Sequence, residues 1–114
     1  MMTKPIIILG TVYNYTEASE KEDTQLCTAD GYCDSYAKKI VIRTDYNEND
    51  PIYVEDMDAY IREVKRHEIT HAYLSESGLM AMSKDERLVD WFARQFPKML
   101  ASFREVGALD DDTE

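Results

Sequence analysis

A chain of 114 residues has room for one domain with one modest core. Its 44% apolar and 32% charged content is that of a globular protein rather than a disordered one. The formal net charge of -10 argues against nucleic acid or an anionic membrane as the main partner. No apolar run is long enough to cross a bilayer, and the four aliphatics Ile6 to Leu9 are too few for a signal-peptide core. A cytoplasmic protein is expected, in which Cys27 and Cys33 are half-buried free thiols rather than a disulfide.

From the N-terminus, Pro5 to Tyr15 is rich in β-formers, and the alternation in "TVYNYT" predicts a strand exposed on one face. "EASEKED" has no apolar period and is expected as a loop. "TQLCTADGYCD" carries a turn signal at Asp30-Gly31 that would reverse the chain, and "KKIVIRT" is a short β-branched strand. Together these predict a small antiparallel sheet of about three strands. "DYNENDP" is a loop closed by proline.

From about Asp56 the period becomes helical, with Ile61, Val64, Glu68, His71 and Ala72 on one broad face. Acidic residues crowd the start of this helix and Gly78 ends it. A second helix is expected after Ser83, with Leu88, Val89, Phe92, Ala93 and Phe96 as its apolar stripe. Pro97 should kink or restart it before "KMLASF". The fold class is therefore α+β, a single domain over 1–108 followed by an acidic, disordered tail over 109–114.

The first helix carries the only two histidines, in "VKRHEITHAYLSESGL". Residues four apart share a helix face, so His67 and His71 can aim ring nitrogens at one point, as a zinc ion requires. Glu68 follows His67 by about 100° around the helix. It can take a proton from a metal-activated water without being a ligand. A solvated, charged helix face is the plainer alternative. Against it, Glu68 falls in the apolar stripe one turn beyond Val64, where a purely structural helix would place leucine.

A catalytic zinc site wants three protein ligands and an open position. With no third histidine, the remaining ligand should be a carboxylate, from Glu76, Asp85 or Glu86. Glu76 points largely away from the histidine pair. Glu86 has Asp90 four residues later on the same face, where Asp90 can accept a hydrogen bond from a ligating histidine and fix its tautomer. That selects Glu86 as third ligand and Asp90 as its brace. "SKDE", Ser83 to Glu86, is also a capping box, in which Glu86 would instead bond to the Ser83 backbone.

"RHEITHAYLSESGL" followed by "DERLVDWFARQFPKM" resembles the small zinc metallopeptidases of phages and mobile elements, minimal gluzincins related to the ImmA/IrrE-type domain. The resemblance spans roughly Ile6 to Phe103 and includes "DGYCD" and "KKIVI" upstream. It implies a minimal zincin-like domain: a short twisted sheet on a zinc-binding helix, with a second helix behind it. His67, His71 and Glu86 match the family's zinc (Zn2+) ligands, Glu68 its general base, and Asp90 the acidic or amide residue supporting the first histidine. "KKIVIRT" would border the cleft and hold an extended peptide by strand addition. The chain is too short for the C-terminal subdomain that gives larger gluzincins an oxyanion donor. Tyr32, Tyr36, Tyr53, Tyr60 and Tyr73 stay unresolved as replacements. The expected activity is hydrolysis of a peptide or protein substrate with narrow specificity. The rival is a zinc-holding interaction module of the same fold without turnover.

Overall fold

The β-rich N-terminus, expected as one strand, is a hairpin. Strands β1 (Met2–Ile8) and β2 (Thr11–Ala18) pair antiparallel, with Ile8 opposite Thr11. The two residues between them, Leu9 and Gly10, both have positive φ, 48° and 87°. A two-residue loop of that hand matches the right-handed strand twist. The aliphatic run Ile6–Leu9 hides the turn, because leucine rarely adopts positive φ. The computed structural model describes residues 1–110.

A single 3-10 turn, Thr24–Cys27, precedes strands β3 (Gly31–Asp34) and β4 (Lys39–Arg43). The four strands lie in the order β1-β2-β4-β3. β4 pairs antiparallel with β3 but parallel with β2, so the sheet is mixed rather than antiparallel. The expected reversal at Asp30-Gly31 is displaced to Ser35–Lys38, where the Asp34 carboxylate accepts from the Tyr36 and Ala37 amides at 3.0 and 2.9 Å. Gly31 serves close packing instead. A Cβ there would meet the Val41 carbonyl at 3.0 Å and Glu68 Cγ at 3.2 Å. β4 is paired on both sides and has no free edge for a peptide; the free edge on that side belongs to β3.

One sheet face carries Ile8, Tyr13, Tyr15, Ile40 and Ile42, all buried against Ala72, Ile61 and Val64 of helix α1 (Met57–Glu76). The other face is covered by Leu26 on Val41 and Ala18. Asp56 caps α1 by accepting from the Ala59 amide at 3.0 Å. Gly78, with φ of 78°, ends it: the Leu79 amide reaches the Leu74 carbonyl and the Gly78 amide the Ser75 carbonyl. Arg43 is buried at the end of β4 and answers Asp45 and Asp50 at 2.9 Å each and Glu20 at 3.5 Å, which ties down the long loop before α1.

Glu76 fastens the far end of α1 to the sheet, accepting from Lys38 Nζ at 2.7 Å, the Tyr13 hydroxyl at 2.6 Å and Thr11 Oγ1 at 3.1 Å. The Lys38 bond, then the Tyr13 bond, hold its carboxyl down at about 2, against 4.5 for a free glutamate. A depressed acid stabilises the fold above its unfolded value, and that contribution is lost as pH falls through the folded value. Glu76→Gln should therefore lower the urea midpoint at neutral pH, with the gap to wild type closing between pH 4.5 and about 2. A gap constant across that range would remove Glu76 from the acid response.

After Gly78 the chain makes a four-residue turn of helix, α2 (Met80–Ser83), before α3 (Glu86–Glu105). The α3 cap is Asp85, which accepts from the Arg87 and Leu88 amides at 3.2 and 3.3 Å. The capping box on Ser83 is not formed; the Ser83 amide bonds to the Leu79 carbonyl instead. Pro97 lies within α3, and the helix runs on to Glu105 without the expected restart. The Ala93 carbonyl, which Pro97 cannot serve, accepts from Arg66 Nε at 2.6 Å. Of the expected acidic tail, Leu109 is half-buried and Asp110 exposed, and 111–114 lie outside the described residues. No helix among the described residues is long and apolar enough to cross a membrane.

Candidate metal centre

His67 and His71 stand one turn apart on α1, and their Nε2 atoms are 3.2 Å from each other. The N-terminal turn of α3 brings Glu86 across to both, with Oε1 3.0 Å from His67 Nε2 and Oε2 3.4 Å from His71 Nε2. One ligand atom from each of the three lies within 4.8 Å of the others. Two nitrogens each ~2.0–2.1 Å from a tetrahedral zinc ion stand roughly 3.3 Å apart, so the pair fits such an ion.

The outer nitrogens are also engaged. His67 Nδ1 donates to Asp90 Oδ1 at 2.9 Å, and His71 Nδ1 donates to Ser83 Oγ at 3.2 Å. Ser83, itself buried, donates its hydroxyl to the His71 carbonyl at 3.2 Å and accepts from Ser75 at 3.4 Å. With both Nδ1 atoms donating, both Nε2 lone pairs turn inward beside the Glu86 carboxylate. In that tautomer three acceptors converge on one point, a ligand set suited to a cation. Burial holds His71 below the ordinary imidazole value, against the pull of Glu86, which favours its neutral, ligating form.

Glu68 is only 7% exposed and makes no hydrogen bond to any described residue. Burial pushes its carboxyl up to about 7; His67 opposes this, while Glu86 and Asp30 add to it. It opens onto a cavity of about 570 Å³ shared with His67, His71 and Glu86, walled on the far side by Gly31 and Cys33 of β3. A second recess, about 320 Å³, meets the first at Gly31, His67 and Glu68. A larger hollow, about 660 Å³ between α1 and α3, is lined mostly by apolar groups such as Ile69, Leu74 and Phe92, with Arg66 and Thr70, and the histidines are not part of its wall. The chemistry sits at the smaller, polar one.

Each sequence-predicted residue therefore has a place. His67, His71, Glu86 and Asp90 are brought together, with Glu68 beside them. Glu76 is tied to the sheet and Asp85 to its helix cap. The Tyr32 hydroxyl is turned to Asp23 and that of Tyr60 to Asp30, while Tyr36, Tyr53 and Tyr73 are exposed. Cys27 and Cys33 are free thiols, the first exposed rather than half-buried.

Two contributors were not foreseen. Ser83, read in sequence as a cap, orients His71, and its only sequence signal is its nearness to Glu86. Asp30 accepts from Tyr60 and, at 2.7 Å, from Tyr46, which anchors the chain just before Gly31 and closes the wall behind Glu68. No family model, no curated protein and no solved structure matches this chain.

Proposed function

We propose that this chain is a zinc-dependent metallopeptidase of minimal zincin-like architecture, a cytoplasmic enzyme of the small phage-type class that its helical motifs resemble. The observation that carries this is Glu68: a side chain only 7% exposed, with no hydrogen-bond partner among the described residues, whose carboxylate opens onto a cavity beside His67, His71 and Glu86. Stripping an ionisable group of most of its water is costly, and such groups cluster where proton transfer is needed. His67, His71 and Glu86 would hold the ion, oriented by Asp90 and Ser83. When bound, zinc would supply Lewis-acid polarisation of a peptide carbonyl and raise the acidity of water. Glu68 takes the proton from the attacking water and hands it to the leaving amine. The free edge of β3, on the opposite wall, offers backbone donors and acceptors to an extended peptide, the role first expected of β4. A peptide or protein is the substrate, and the charge of -10 disfavours nucleic acid.

A second reading, a zinc-binding interaction module without turnover, is favoured by one fact: the phenols of Tyr32 and Tyr60 are both committed to aspartates, which leaves neither as an oxyanion donor. The two separate on a mixed peptide library. Zinc-loaded protein should retain about one ion per chain after desalting, cleave a narrow set of peptides and lose that cleavage with chelator. Retained zinc with no cleavage would establish the module; no retained zinc would end both readings.

A further inference from the structure

We propose that Arg66 is a positioning residue for the carboxylate ligand: by binding the backbone carbonyl that Pro97 leaves open, it sets the register of α3 and so holds Glu86 and Asp90 at His67. The proposal rests on the metal reading above. It begins with a helix whose grip on the rest of the protein is slight. Of the 20 residues of α3, only Val89 and Ala93 are buried, and apolar contacts of that kind are non-directional. Glu86 is 65% exposed and Asp90 52%, so neither is held by packing. A shift of α3 by one residue would carry Glu86 about 1.5 Å along the axis and about 100° around it. Something directional must prevent that.

The directional contact is the Arg66–Ala93 bond. Pro97 has no N–H, so the Ala93 carbonyl lacks its helical partner four residues on, and Ala93 is fully buried. Arg66 Nε meets that oxygen at 2.6 Å. In a chain with 23 acidic residues, Arg66 makes no ion pair with any described residue and spends its guanidinium on a main-chain oxygen. On α3 the contacts fall at Glu86, Asp90 and Ala93, spaced i, i+4, i+7 along one face. On α1 they are met by the adjacent residues Arg66 and His67, with His71 one turn on. The outlying Glu63–Arg94 pair is exposed and adds little orientation. Pro97 thus presents an unpaired carbonyl at one height on α3, and Arg66 reads it one residue from a ligand.

A merely structural bond would stabilise the helix pair without governing the metal, so the test separates the two. Zinc affinity is measured by competition with a chromogenic chelator, alongside the thermal midpoint, for the full-length protein and for Arg66→Met, Pro97→Ala and the double variant. Pro97→Ala returns a helical donor to Ala93, and a carbonyl can accept two bonds, so Arg66 keeps its contact and zinc affinity stays near wild type. Arg66→Met should weaken zinc roughly tenfold, in the range seen when outer partners of metal ligands are lost. The decisive result is the double variant. Its stability should recover to that of wild type or above, with zinc still weakened tenfold relative to Pro97→Ala alone. Cobalt-loaded Arg66→Met should also show altered visible bands as the carboxylate is displaced. If zinc affinity recovers with stability, or is untouched in Arg66→Met, Arg66 is a helix tie and no more. A wild-type protein that binds no zinc overturns the metal reading itself, and is seen before any variant is compared.

Discussion

Glu68→Gln should retain zinc and lose peptide hydrolysis. Glutamine keeps the shape of the side chain, so its packing beside Gly31, which has no room for a Cβ, survives, but it cannot accept and return a proton. A positioned general base contributes about 10²–10⁴-fold, and a loss in that range is expected in kcat with zinc affinity within about twofold of wild type. The thermal midpoint should equal or exceed that of wild type, because a neutral amide replaces a largely desolvated carboxylate. Hydrolysis at the wild-type rate would sink the assignment of Glu68. Loss of zinc together with activity would instead make Glu68 a support of the metal site rather than its base.

Glu86→Ala should do the opposite: weaken zinc strongly while leaving the metal-free fold nearly as stable as before. Glu86 is largely exposed and caps nothing; its carboxylate is spent on the two histidines. Removing a direct ligand should cost more than the roughly 10–100-fold typical of outer partners. The neighbouring acid provides the contrast, since Asp85 accepts from two amides at the start of α3. Asp85→Ala should lower stability by about 1 kcal/mol with zinc affinity unchanged, read by urea denaturation and chelator competition on the same samples. Were the two variants to exchange phenotypes, the third ligand would be Asp85 and α3 would have to shift to admit it.

These contrasts mark where the sequence was informative. Each feature that depends on residues within one or two helical turns was legible: the helix start near Asp56, the Gly78 stop, the shared face of His67 and His71, and Glu68 inside the apolar stripe. β4 was legible as well, because a dense β-branched run leaves few alternatives. Even the pairing of Glu86 with Asp90 could be read, since both lie on one face of one helix.

Errors appear wherever a local signal had a distant competitor. Asp30-Gly31 has the composition of a turn, yet Asp30 is claimed by Tyr46 and Tyr60 and Gly31 by the crowding of β4 and α1. The same segment then pairs as an edge strand, and β4 ends up parallel to β2. The capping box that Ser83 to Glu86 also spells, the alternative to Glu86 as ligand, does not form: Asp85 takes the cap, which leaves Glu86 for the histidines and Ser83 for His71. Pro97 carries the signal of a kink or restart, yet α3 runs on to Glu105, and Arg66, 31 positions earlier in the chain, relieves the carbonyl it strands.

By itself the sequence determined the helix, its stop at Gly78 and the convergence of two histidines and a glutamate on one side of it, because these follow from a 3.6-residue period and hydrogen bonds reaching four residues. Which strand would border the histidines, which acid would cap α3 and that Ser83 would orient His71 were decided only by the tertiary structure. The contacts of the strand and of Ser83 join residues far apart in the chain. They form only once packing of the sheet on α1, and of α1 on α3, has closed the intervening loops.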